Sequence, residues 1–119
     1  MDRDINEVIR SLIARVQARD FGIGFFLDVI TVAFAVLSWI DKDPPVFGDD
    51  GETLGLMIDL HEELTGEPVP AGGMLSGILV SLVLRVLIEK ALEVLAESDL
   101  PAAVIEILKK LLADIQAKL

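Results

Sequence analysis

The stretch Gly22 to Ile40, GIGFFLDVITVAFAVLSWI, decides the architecture. It is apolar almost throughout and carries one charge, Asp28. As a helix rising about 1.5 Å per residue it spans just under ~30 Å, the width of a small domain or of a bilayer core. Its hydropathy averages roughly 2, which is in the range of a membrane span. The small and polar residues Gly24, Asp28, Thr31, Ala35 and Ser38 recur at steps of three or four, so they share one stripe. Phe25, Phe26, Val29, Ile30, Val32, Phe34, Val36 and Leu37 cover the rest. A helix apolar nearly all round must be buried, in protein or in lipid.

Upstream, Asp4 to Arg19 reads as an amphipathic helix. Ile5, Val8, Ile9, Leu12, Ile13 and Val16 fall on one face, and Glu7, Arg10, Arg15, Gln17 and Arg19 on the other. Asp4 with Glu7 resembles a capping box. Downstream, Pro44 and Pro45 stop the apolar helix, because proline lacks the N–H and constrains its predecessor. A helix over residues 53–65 follows, capped by Asp50 or Thr53 and stopped by Gly66. Its apolar face reads Leu54, Met57, Ile58, His61 and Leu64. The longest helix is expected over 71–97. There Gly73, Gly77, Ser81, Arg85, Glu89, Glu93 and Glu97 recur at every fourth position. SDLP then restarts the chain, with Ser98 or Asp99 as cap and Pro101 in the first turn. The last helix sets Val104, Ile105, Leu108, Leu111, Leu112, Ile115 and Leu119 on one face.

The pattern predicts one all-α domain over residues 1–119, of about five helices. Two highly apolar central helices are sheathed by three amphipathic ones. The rival architecture makes those two a transmembrane hairpin with flanking amphipathic helices. Asp28 and Arg85 favour the bundle, since a charge inside a membrane is costly. The bundle implies a cytoplasmic, soluble protein, and the hairpin an inner or plasma membrane protein. An apolar content of 53% is high for a soluble monomer, which points to a homodimer. A net charge of −10 argues against nucleic acid as a partner. Residues 41–67 carry nine acids against Lys42 alone, which suits a basic protein partner. There is no cysteine, and with a single histidine no zinc site can be assembled. The lack of both Cys and Tyr suits a designed chain, and chance explains it nearly as well. The first segment is charged and amphipathic, unlike a cleavable signal.

Asp28 is the sharpest candidate for chemistry. An acid on so apolar a helix must lie on a thin wet face, pair with a cation such as Arg85, or serve as a general base. Arg85 is the cation of a long apolar run, and either clamps an anion or reaches to the surface along its own stem. His61 shares an apolar face with Met57. It reads as a boundary residue, with haem ligation, base catalysis or pH sensing as functional rivals. Thr31, Ser38, Trp39 and Met57 are the residues expected to line a pocket for a small hydrophobic ligand. Asp41, Asp43, Asp49 and Glu52 match four places of a calcium loop, but Val46 stands where the turn needs glycine. No phosphate loop, nucleophile elbow or cofactor motif is present, so no cofactor or metal is expected. The expectation is a non-catalytic helical interaction or oligomerisation protein whose core holds a partner helix or a small hydrophobic ligand. Its rivals are the membrane hairpin and a bundle enzyme using Asp28, His61 and Arg85.

Overall fold

Where the apolar periodicity is strongest, the chain forms helices with identifiable ends. The computed structural model describes residues 4–40, 51–68 and 76–119. They form α1 (Ile5–Ala18), α2 (Ile23–Ile40), α3 (Gly51–Thr65), α4 (Ser76–Ala96) and α5 (Ala102–Ala117), with no strand among them.

The ends follow local chemistry. The Asp4 side chain accepts from the Asn6 N–H at 3.0 Å and caps α1. At the other end Arg19 adopts the left-handed conformation, φ 55°, and the Asp20 N–H closes on the Arg15 carbonyl at 2.8 Å. Gly66, φ 75°, ends α3 as expected, donating to the Glu62 carbonyl at 2.7 Å. Of the two caps expected for α3, Thr53 lies inside the helix rather than at its start and is fully buried, and Asp50 lies outside the described residues. Pro101 is itself the N-cap of α5, in extended backbone with ψ 143°, while the Ser98 hydroxyl accepts from the Leu100 N–H one turn earlier.

Four helices close a ring. Helix α1 packs on α2 and α3, and α4 packs on the same two. Among the described residues the backbones of α1 and α4, and those of α2 and α3, do not approach one another closely, so each pair lies on a diagonal across the shared core. Helix α5 packs along the edge shared by α2 and α4. The two most apolar helices thus touch one another, and each has two further neighbours. Side-chain pairs give the directions. Ser11 meets Asp28, and the Arg15 guanidinium lies against Gly24, so α1 and α2 run antiparallel. Asn6 meets Thr53 and Gln17 meets Glu63, so α1 and α3 run parallel.

The core is continuous. Val8, Ile9 and Leu12 of α1 meet Phe25, Phe26, Val29, Val32 and Val36 of α2, Met57 and Leu60 of α3, and Val83, Leu84, Leu87 and Ile88 of α4. Leu108, Leu112 and Ile115 add α5. Each large side chain buried this way contributes about 1.5–3 kcal/mol over its exposed state. The inward face of α3 is Thr53, Met57, Leu60 and His61. Ile58, expected inside, is 38% exposed. Among the described residues no helix is both long and apolar enough to cross a membrane.

The expected wet stripe of α2 is displaced. Asp28 is only 4% exposed. The outward face instead carries Ile23, Leu27, Thr31, Phe34 and Ser38. The displacement has a physical cause. Turning Asp28 inward brings its carboxylate to a hydroxyl and a guanidinium on α1, and the outer turns are left to apolar residues.

Candidate functional site

Helix α1 holds the buried polar chemistry together. The Ser11 hydroxyl donates to Asp28 Oδ2 at 2.8 Å, and Arg15 Nε donates to the same oxygen at 3.2 Å. Arg15 Nη1 also reaches Asp20 Oδ2 at 2.9 Å. The antiparallel α1–α2 corner makes this meeting possible, because Ser11 and Arg15 stand opposite Asp28 and Gly24. A Cβ built on Gly24 would lie 2.7 Å from an Arg15 guanidinium nitrogen, so the absent side chain is what lets the guanidinium lie across α2.

The cation at Asp28 is therefore Arg15, not Arg85. Arg85 is exposed on α4 and forms no ion pair among the described residues, as a side chain reaching past its apolar stem would. The signal for Arg15 lay in the sequence: a glycine one turn before the acid, and a cation equally far from the corner on the preceding helix.

A second polar contact joins α1 to α3. The Thr53 hydroxyl, fully buried, donates to Asn6 Oδ1 at 2.7 Å. Arg10 pairs with Glu52, and Gln17 Nε2 donates to Glu63 Oε1 at 3.0 Å, along the exposed margin of the same interface. Neither Asn6 nor Thr53 stood out in the sequence as a buried pair.

His61 is 7% exposed, and its Nδ1 has no hydrogen-bond partner among the described residues. It sits on α3, across the diagonal from Asp28 on α2, so the structure does not gather Asp28, His61 and Arg85 at one catalytic centre. The expected pocket residues are dispersed as well. Met57 is fully buried in the core. Thr31 and Ser38 face outward, and the Thr31 hydroxyl donates to the Leu27 carbonyl of its own helix at 2.8 Å. The Trp39 side chain and the 41–50 calcium-loop candidates lie outside the described residues.

A cleft of about 640 Å³ lies elsewhere, where the α1–α2 corner meets the end of α4. Arg19, Phe21, Lys90, Glu97, Asp99 and Leu100 are among its lining residues. The Lys90 ammonium sits 5.5 Å over the Phe21 ring and 3.8 Å from Glu93, which ties this corner to α4. Among the described residues no cluster of His, Asp and Glu is arranged to hold a metal.

The outer face of α2 is the other unusual feature. Ile23 is 45% exposed, Leu27 56% and Phe34 54%, with Ile30 and Leu37 half-buried between them. These five occupy alternate a and d places of a heptad over the whole helix, and no charged side chain shares the exposed face. Ile58 on α3, 38% exposed, and Ile107 on α5, 61% exposed, lie on other helices. Compared with protein-family models, with curated proteins and with solved structures, the chain matches none.

Proposed function

We propose that the protein is a non-catalytic helical interaction module that self-associates through the outer face of α2. One observation carries the reading: a heptad seam of large apolar side chains, three of them about half exposed, on a face without charge. The largest exposed apolar patch of a protein is often its functional surface. The occupant is a second copy of the same chain. A net charge of −10 makes most contacts between copies repulsive, whereas the α2 face brings no like charges together.

The state of Asp28 supports the non-catalytic part. Its Oδ2 accepts from both Ser11 and Arg15, and the side chain is buried, so this oxygen is not presented to a substrate as a base.

Size sets the strength. A helix face of this length and about 10–12 Å width covers roughly 300 Å² per copy, well under the ~800 Å² per partner of a stable interface. The dimer is therefore weak and reversible. Sedimentation equilibrium tests it. The weight-average mass should rise from 12.9 kDa toward twice that value as concentration increases. Leu27→Asp lies on the surface and leaves the fold intact, and it should hold the chain at the monomer mass. A wild-type chain that stays monomeric to about 1 mM, where even a binding energy near 4 kcal/mol registers, would overturn the reading.

A further inference from the structure

We infer that the two copies meet antiparallel, about a two-fold axis crossing α2 beside Thr31, with Leu27 of one copy against Phe34 of the other. This orientation rests on the self-association proposed above and adds a geometry to it.

The exposed positions of α2 are laid out symmetrically. Ile23 and Ser38 lie equally far from a point between Ile30 and Thr31, and so do Leu27 and Phe34. A two-fold axis through that point maps Ile23 onto Ser38 and Leu27 onto Phe34, all four exposed, and sets Thr31 against the half-buried Ile30, so the same surface serves both copies as an isologous interface requires. Leu27 and Phe34 then meet twice, once on each side of the axis. Thr31 lies at the crossing, where a small side chain lets two helices approach. Its hydroxyl already donates to the Leu27 carbonyl, so burying Thr31 strands no polar hydrogen.

Electrostatics select the same orientation. In a parallel pair the macrodipoles of the two α2 helices oppose one another, whereas in an antiparallel pair each end meets its opposite. The chain leaving α2 is acidic: Asp41, Asp43, Asp49, Asp50 and Glu52 follow, with Lys42 as the one cation. A parallel pair would start both acidic stretches side by side. An antiparallel pair starts them about 27 Å apart, the length of the helix and some three Debye lengths at physiological salt.

Because the chain contains no cysteine, single thiols report the orientation directly. Thr31→Cys, Ser38→Cys and Ile23→Cys are each prepared in the full chain. Each is treated with oxidant and with a bismaleimide spanning about the 8–10 Å between packed helices. Antiparallel pairing predicts a cross-linked dimer as the main product of Thr31→Cys. It predicts at least ten-fold less from Ser38→Cys alone, because the two thiols are then about 22 Å apart along the axis, and strong cross-linking when Ser38→Cys is mixed with Ile23→Cys. Self-cross-linking of Ser38→Cys as strong as that of Thr31→Cys would overturn the orientation while leaving self-association standing. Sedimentation of the same variants before cross-linking separates the two claims. A chain without any dimer refutes both, and a dimer without a Thr31→Cys product refutes the orientation alone.

Discussion

Replacing Arg15 by methionine tests whether the α1–α2 contact is held by the buried charge. Methionine keeps most of the apolar stem and removes the guanidinium. Asp28, whose side chain is 5% exposed, then loses the Arg15 guanidinium, while the Ser11 hydroxyl remains. A hydrogen bond to a charged group contributes about 1.5–3 kcal/mol, and breaking a fully buried pair costs about 3–5 kcal/mol. Arg15 is 31% exposed, so water screens part of the attraction and the lower range applies. The lost contact to Asp20, itself 56% exposed, adds about 0–0.5 kcal/mol. The expected loss is therefore about 2–3 kcal/mol, a large share of the ~5–15 kcal/mol that holds a typical domain. Urea unfolding followed by circular dichroism at low protein concentration measures it, as a lower midpoint at unchanged slope. Asp28→Asn and the double variant complete a cycle. The double variant should be at least ~1 kcal/mol more stable than the two single losses predict, because the second change removes the buried carboxylate whose guanidinium the first has taken away. A cost for Arg15→Met below about 0.5 kcal/mol, or strict additivity in the cycle, would refute the role assigned to the pair.

Three further outcomes are expected from the same unfolding assay. Gly55→Ala meets nothing within 4 Å and should stabilise α3 by about 0.5–1 kcal/mol, whereas Gly24→Ala pushes the Arg15 guanidinium aside and should give no gain or a loss. Equal gains at both glycines would show that the Arg15 position does not matter. Thr53→Val should cost about 1–3 kcal/mol by stranding Asn6 Oδ1, and most of that should return when Asn6→Leu is added. His61→Leu removes a buried nitrogen without a partner among the described residues and should be neutral or stabilising by about 1–2 kcal/mol. A clear destabilisation would mean that the imidazole is bonded after all.

What the sequence displayed most clearly was local. The period of α1 and α5, the Gly66 stop and the apolar bulk of α2 were legible because each depends on residues a few places apart. The inward face of α3 is ambiguous in sequence, because apolar residues at 54, 56, 57, 58, 60 and 64 support more than one face, and the structure buries Leu60 rather than Ile58. In the sequence Asp28 stands out as the residue needing explanation, but the pattern points to a cation in α4. Arg85 stands alone in an apolar run and draws attention, whereas Arg15 sits among the charges of an amphipathic helix and looks solvated. A long guanidinium at the margin of such a helix can reach a neighbour's interior, and only the corner geometry shows that it does.

The same contrast shows where the fold acquires its register. Apolar packing is non-directional, and helices as uniformly apolar as α2 can slide or rotate at small cost so long as volume is filled. The polar contacts are directional, and those tying α1 to its neighbours point both ways: Ser11 and Arg15 to Asp28 on α2, Asn6 to Thr53 on α3. A one-residue slip of α2 against α1 would carry the Asp28 carboxylate about 1.5 Å along the axis and turn it about 100° away from both donors, leaving it buried without them. The nearly charge-free interior of α2 thus contains one acid at the place where rotation of the helix has to be fixed. Fixing it there with α1 turns Ile23, Leu27 and Phe34 outward, so the contact that orients α2 within the chain also determines which of its faces is left exposed for the self-association proposed above.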